Sequence, residues 1–342
     1  MAPLTTLGVG GPARYFAVCN STKDILEALE FAYRKNLQVF VLGGGSNLLV
    51  ADEGFPGLVI HVLLAGINVT ADDARTLLTV KAGENWDRVV GFSVKQDLAG
   101  IECLSGIPGS VGGTPVQNVG AYGQEVSETI LSVTCIDRSN GNVVELNNEA
   151  CGFQYRKSIF NTTERDHFII TQVIFGLSPN GEPRISYRDL AERFSSSTPS
   201  LLDVRDAVLD IRRQKSMVID ATDPNSRSAG SFFKNPVVSS GQYQRIAGRF
   251  AGDVPSFPTD SGGHKIPAAW LIEQAGFQKG FALGRAGISE NHSLAIINRG
   301  DAKASEIVAL KDLIVRTVAD KFGITLIPEP VFLGFADQGL RQ

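Results

Sequence analysis

The chain has 342 residues, enough for two or three domains with substantial cores, and its 32 basic against 36 acidic residues give a formal charge of −4 without any block of like charges. That balance argues against nucleic acid or a membrane surface as the main partner, and no apolar run approaches the roughly 18–20 residues of a membrane span. The first residues lack a secretory-signal pattern, so a cytoplasmic protein is expected. Cys19, Cys103, Cys135 and Cys151 lie too far apart for CxxC or zinc-knuckle chemistry, and His61, His167, His264 and His292 are equally scattered, so no metal site is expected.

In chain order, Ser21 with Asp24 three residues later predicts a capped helix from about Thr22 to Lys35. A strand follows at 38–42, then Gly43-Gly44-Gly45-Ser46-Asn47 and an apolar segment at 48–50. A strand running into glycines suits a phosphate cradle, because backbone N–H groups approach an anion only where no side chain intervenes. It is not GxxxxGK[ST], and GxGxxG is broken because Leu48 takes the third glycine position. Tight turns between strands are the alternative. Further strands are predicted at 57–62, 77–81, 130–137, 143–146, 168–175 and 294–298, and helices at 203–214, 267–275 and 305–322, the last ended by Gly323. The polar stretch 220–228 reads as a mobile loop. Strands and helices mix without strict alternation, which predicts α+β domains and not one doubly wound sheet.

Four segments carry the chemistry. Residues 107–123 hold five glycines and two prolines with few charges, too irregular for a helix and too apolar for a solvated loop. Such buried backbone needs partners, which a large cofactor with a diphosphate and a heteroaromatic ring would supply, with Gln117 and Asn118 adding side-chain hydrogen bonds. In Phe153-Gln-Tyr-Arg-Lys-Ser-Ile-Phe160, Arg156 either clamps a carboxylate or phosphate or forms a surface salt bridge. In Ser228-Ala-Gly-Ser-Phe-Phe-Lys-Asn-Pro236, Phe232 and Phe233 suit burial while Lys234 and Asn235 need polar partners. The segment is therefore either a cavity wall, with Ser231 as its small proton donor, or a strand end whose lysine reaches water. Glu329 sits between two prolines among apolar residues, so its carboxylate must be paired, hydrogen-bonded or protonated.

Six motifs, Thr6-Leu-Gly-Val-Gly-Gly-Pro-Ala13, Leu42–Asn47, 107–123, 155–160, 229–236 and 327–329, stand in one order along nearly the whole chain. In that order the chain resembles the UDP-N-acetylenolpyruvoylglucosamine reductase family, flavoenzymes of bacterial peptidoglycan precursor synthesis, in its extended type with a substrate-loop tyrosine. The resemblance implies an α+β fold with a two-part FAD-binding region of the PCMH/vanillyl-alcohol-oxidase-like type at 1–66 and 67–203. It places a substrate-binding domain at 204–323 and returns the chain end, 324–342, to the first part. Flavin contacts are implied for Gly43, Gly44, Gly45, Ser46, Asn47, Pro108, Gly109, Ser110, Gln117, Asn118, Gly120, Tyr122 and Arg156. Substrate contacts are implied for Tyr155, Tyr187, Lys215, Asn235 and Lys265.

The implied chemistry is two hydride transfers, from NADPH to FAD and then from flavin to C3 of UDP-N-acetylglucosamine enolpyruvate. Arg156 and Glu329 would stabilise the enolate so formed, and Ser231 would protonate C2 to give UDP-N-acetylmuramate. Phe257 departs from the family's frequent tyrosine, and His292 is either a polar group near the substrate or a structural histidine. A monomer without nucleic-acid or membrane partners is expected. Two other readings are an oxidase of sugars or alcohols on the same flavin fold and a non-catalytic UDP-sugar binder. Many such oxidases tether their flavin through a histidine near the glycine loop, which has none, and a binder has no use for Tyr155, Ser231 and Glu329 together.

Overall fold

A computed structural model describes residues 1–72, 74–250, 253–259 and 262–336. Residues 337–342 of the expected returning chain end therefore lie outside the described residues. The chain forms two compact units: one of Met1–Pro12, Ser46–Phe55 and the residues from Lys215 onward, the other of Ala13–Gly45 and Pro56–Gln214.

In the second of these units a three-stranded sheet has the order Ala13–Cys19, Phe55–Val62, Val39–Leu42, the latter two parallel. Helix Thr22–Arg34 begins with a full capping box, since Asp24 N–H donates to the Ser21 hydroxyl at 3.2 Å and the Asp24 carboxylate accepts from Ser21 N–H at 2.9 Å. A larger antiparallel sheet has the order Val143–Asn147, Ile130–Asp137, Phe168–Pro179, Arg75–Lys81, Ile67–Asp72, with Leu98–Ala99 paired to the far end of the long central strand. One core joins both sheets, with Trp86, Phe175, Ile60 and Leu78 fully buried.

Helix Trp86–Lys95 is absent from the sequence-based expectations, although Asn85 caps it and Trp86, Val89, Val90, Ser93 and Val94 bury one face. Helix Leu201–Gln214 starts two residues before its expected bound, so the expected 203/204 boundary falls inside it.

The unit that contains both chain ends is built on Phe232, Phe233, Leu271, Ile307, Leu310, Ile314 and Val318. Helix Ala304–Phe322 ends at Gly323, whose φ of 66° makes the left-handed cap that a side chain would strain. Strand Val331–Leu333 pairs in parallel with Leu48–Val50, and Ala286–Ile288 is flanked by Ala282–Leu283 and Ile296–Asn298. The expected mobile loop at 220–228 is instead closely bonded. The Ser226 hydroxyl donates to the Asp220 and Asp223 carbonyls at 2.8 Å each, and Asn225, Ser226 and Ser228 are buried. Its polar residues satisfy their own turn.

Candidate active site

The glycines at 43–45 leave the parallel strand Val39–Leu42, and among the described residues their N–H groups make no hydrogen bond. A Cβ on Gly44 would come within 2.5 Å of Gly109 Cα and 2.7 Å of its carbonyl carbon, and one on Gly43 within 2.5 Å of Ser110 Oγ. The two glycine-rich loops are thus packed backbone to backbone, with N–H donors of 43–45 available to an anion. That donor set suits a diphosphate, the group expected there. His61, beside Leu42 in the parallel pair, hydrogen-bonds the Gly43 backbone, and burial pulls its imidazole below the usual histidine range.

The unexpected helix Trp86–Lys95 places the 104–113 segment. Trp86 Nε1 donates to the Leu104 carbonyl at 3.1 Å, Trp86 N–H to the Gly109 carbonyl at 3.1 Å, and Val111 N–H to the Glu84 carbonyl at 2.9 Å. Asp87 accepts from Gly106 N–H at 2.6 Å and from Arg205 through two contacts, Nη1–Oδ1 at 2.7 Å and Nη2–Oδ2 at 2.9 Å. Burial pushes the Asp87 carboxyl up, but Arg205, the Gly106 N–H and the Arg205 and Arg212 charges together leave it below the usual carboxylate range. Arg205 stands 118 positions from Asp87, so no local pattern pairs them.

Arg156 is held against the backbone of the glycine-rich segment. Tyr155 and Arg156 form the tip of a tight turn closed by reciprocal Gln154–Lys157 backbone bonds of 3.0 Å. From there Nη2 donates to the Gly120 carbonyl at 2.7 Å and Nη1 to the Asn118 carbonyl at 3.4 Å, with the guanidinium 5.3 Å from the Tyr155 ring centroid. Asn118, Tyr122 and Arg156 all have left-handed backbones, with φ of 45°, 48° and 57°. Such conformations persist only where neighbours impose them, and here two lie on the glycine-rich segment and the third on the turn that bonds to it. The expected side-chain reach of Asn118 toward a cofactor is spent within the protein. Its amide donates to Glu125 and to the Gln154 carbonyl at 2.7 and 3.1 Å, and its oxygen accepts from Ser127 N–H at 3.1 Å.

Gln117, Pro108 and Gly109 are half-buried and Ser110 is buried. Tyr187, 40% exposed, meets the Tyr122 ring edge-on at 5.2 Å. Tyr122 hydrogen-bonds the buried Arg212, and burial raises its phenol above the usual tyrosine range.

In the other unit Ser231 and Glu329 come together through the backbone. Glu329 N–H donates to the Phe232 carbonyl at 2.9 Å, Lys234 N–H donates to the Ile327 carbonyl at 2.9 Å, and Phe233 bridges Pro328. Phe232 and Phe233 are buried while Ser231, Lys234, Asn235 and Glu329 are half-buried, the apolar-in, polar-out arrangement of a cavity wall. Glu329 is thus less enclosed than its apolar neighbours suggested. Asn47 Nδ2 donates to the Glu329 carbonyl at 3.2 Å, and the Thr6 hydroxyl donates to the Ser46 and Ser228 carbonyls at 3.3 and 2.6 Å. Thr6 thereby ties three motifs of this unit together.

Asn235 Oδ1 accepts from Ala268 N–H at 2.9 Å at the start of helix Ala268–Gln274, and its amide nitrogen makes no hydrogen bond among the described residues. Lys265 pairs with Val237 and with Phe257, itself 57% exposed. Lys215, half-buried, follows helix Leu201–Gln214 directly. The His292 imidazole Nε2 lies 3.3 Å from Ser231 Oγ, a contact that sequence spacing could not reveal.

A family model described as FAD binding domain matches residues 13–147, and one described as UDP-N-acetylenolpyruvoylglucosamine reductase, C-terminal domain, matches 223–333. The UDP-N-acetylenolpyruvoylglucosamine reductase of Thermobifida fusca is 45% identical over 345 residues, which cover 98% of this chain and 96% of that one. This chain belongs to the UDP-N-acetylenolpyruvoylglucosamine reductase family. The reductase of Saccharopolyspora erythraea is 42% identical over 98% of this chain and 95% of its own. A crystal structure of the UDP-N-acetylenolpyruvylglucosamine reductase from Thermus caldophilus matches with a TM-score of 0.66 and 27% identity, covering 97% of this chain and 96% of that one. Similarity to reductases along the whole length decides against the oxidase and the non-catalytic binder. Among the described residues no helix is long and apolar enough to cross a membrane, and no cluster of His, Cys, Asp or Glu could hold a metal.

Proposed function

We propose that this member of the reductase family converts UDP-N-acetylglucosamine enolpyruvate to UDP-N-acetylmuramate with FAD as cofactor and NADPH as co-substrate. The observation that carries this reading is the backbone bond joining Glu329 to Phe232, which brings Ser231 and Glu329 together from distant parts of the chain. Bound FAD supplies the two-electron transfer from NADPH to C3 of the enolpyruvyl group. The flavin belongs to 1–66 and 67–203, with Gly43, Gly44, Gly45, Ser46, Asn47, Pro108, Gly109, Ser110, Gln117, Gly120 and Tyr122 as its contacts. Asn118 contributes through its backbone and Arg156 by fixing the 118–120 carbonyls. The nucleotide sugar belongs to 204–323, where Lys215, Lys265 and the Asn235 amide suit a diphosphate and its sugars, with Tyr155 and Tyr187 adding contacts.

As C3 is reduced, charge develops on C2 and the adjoining carboxylate. The Arg156 guanidinium and Glu329, the latter either protonated or sharing a proton, stabilise that enolate. Ser231 donates its hydroxyl proton to C2. Serine is a poor acid in water, yet an enolate is basic enough to take its proton where the hydroxyl is positioned and water excluded. The protein acts as a monomer.

Colour tests the whole reading. Purified protein should be yellow, bleach with NADPH in the absence of air, and regain its colour when the enolpyruvyl substrate is added. Colourless protein that cannot be reconstituted with FAD would overturn it. So would bleached protein that the substrate fails to reoxidise.

A further inference from the structure

The 289–295 loop between strands Ala286–Ile288 and Ile296–Asn298 is fastened at almost every residue. Ser289 N–H donates to the Ala295 carbonyl at 2.9 Å and Ala295 N–H to the His292 carbonyl at 3.0 Å. Glu290 N–H donates to Asn225 Oδ1 at 3.0 Å, and Asn291 Nδ2 to the Ser216 hydroxyl at 2.9 Å. The Ser293 hydroxyl donates to the Glu273 carboxylate, and Ser289 and Ser293 are buried. The loop also holds the residue after Ser231, since Phe232 N–H donates to the Leu294 carbonyl at 2.8 Å. A loop built in this way fixes one imidazole nitrogen against one hydroxyl, His292 Nε2 against Ser231 Oγ at 3.3 Å.

The direction of that hydrogen bond decides what it does. A hydroxyl that donates to Nε2 aims its proton away from any substrate. A hydroxyl that accepts from Nε2–H keeps its proton for another acceptor, and its oxygen is met by a donor as negative charge builds. Only the second arrangement suits a proton donor, and resting on the function proposed above, it gives His292 a task. We propose that His292 is a positioning residue for Ser231, its Nε2–H donating to Ser231 Oγ. In the proton-transfer step the Ser231 O–H bond breaks, its electron pair stays on Oγ, and the enolate pair forms the new C2–H bond. His292 retains its own proton and stabilises the alkoxide, which regains a proton from water as product leaves.

The test compares His292→Ala and His292→Gln with the wild type, each loaded with FAD, in rapid-mixing experiments on the two half-reactions. Reduction by NADPH should be unchanged in both variants. Reoxidation of the reduced enzyme by saturating enolpyruvyl substrate should slow by about 10- to 100-fold in His292→Ala, the effect of losing one hydrogen bond to a charged oxygen. His292→Gln should recover much of that rate, because its amide N–H can donate from a similar place. A second readout needs no turnover: in protein labelled with ¹⁵N-histidine, Ser231→Ala should shift the Nε2 resonance of His292. A wild-type reoxidation rate in His292→Ala would overturn the proposal, as would a loss confined to the half-saturating substrate concentration or equal losses in the alanine and glutamine variants. Wild-type enzyme that the substrate fails to reoxidise would overturn the proposed function instead, and the nitrogen resonance would still decide whether the pair exists.

Discussion

The Arg156 guanidinium donates to the Gly120 carbonyl at 2.7 Å from a residue whose own backbone is left-handed, so the arginine is a brace of the glycine-rich segment as well as a charge. Arg156→Lys keeps the charge but loses the planar fork that spans two carbonyls. FAD affinity should fall about tenfold, the loss of roughly one hydrogen bond to a charged donor. Oxidation of reduced flavin by substrate should fall further than reduction by NADPH. Titration of apoprotein with FAD and rapid mixing of both half-reactions measure the two effects. Unchanged FAD affinity would show that the Gly120 and Asn118 carbonyls need no brace.

Gly44 makes a sharper claim about the glycine loops. Valine there meets the Gly109 backbone, which cannot swing aside as a side chain would. Gly44→Val should cost about 3 kcal/mol or more in stability, in addition to weakening FAD binding. Gly113→Ala is the control, because nothing lies within 4 Å of its new Cβ, and its effect should stay within about 0.5 kcal/mol. Chemical denaturation of both apoproteins checks the contrast. Equal stability of the two variants would remove the backbone contact between the loops.

The elements legible in the sequence were those whose signal is local. Ser21 and Asp24 announce their helix, Gly323 ends another, and the 130–137 strand appears with the expected bounds. The glycine loops, Arg156, Ser231 and Glu329 were legible as motifs. What the sequence hid were pairs closed by the fold. Asp87 with Arg205 and Ser231 with His292 join segments far apart, and Thr6 looks like an ordinary threonine until its hydroxyl meets Ser46 and Ser228. Asn118 was visible, but its use was not, because the three groups that occupy its amide come from elsewhere in the chain.

Asp87 carries a pH signature. Its carboxyl is held below the usual carboxylate range in the folded chain, so the Arg205 pairing contributes its full stability above that range and loses it as pH falls through the lowered value. Asp87→Asn should destabilise the apoprotein by about 2–4 kcal/mol near neutral pH, since it leaves a largely buried guanidinium with a weaker partner. The gap from wild type should be constant between about pH 5 and 7 and close below about pH 4, as the wild-type carboxyl takes up its proton. Denaturation curves across that range test the sign. A gap that widened on acidification would mean that the carboxyl is raised and not lowered.

Ser231→Ala isolates the proton donor. Buried Phe232 and Phe233 hold the segment, and Ser231 is a half-buried residue, so removing one oxygen should leave fold and FAD content intact. Reduction by NADPH requires no proton at substrate C2 and should continue at nearly the wild-type rate. Reoxidation by the enolpyruvyl substrate does require it and should slow by about 10²–10⁴, or roughly 3–5 kcal/mol of barrier. Ser231→Cys should restore part of the rate, because a thiol can donate from nearly the same place. The variant also separates the two bond-forming events. If C3 is reduced before C2 receives its proton, the stalled enolate can revert, and hydrogen at C3 will exchange with the reduced cofactor faster than product appears. Stopped-flow spectra of the pre-reduced variant, with isotope analysis of recovered substrate, measure both. Reoxidation as fast as in the wild type would take Ser231 out of the mechanism and leave its contact with His292 a structural one.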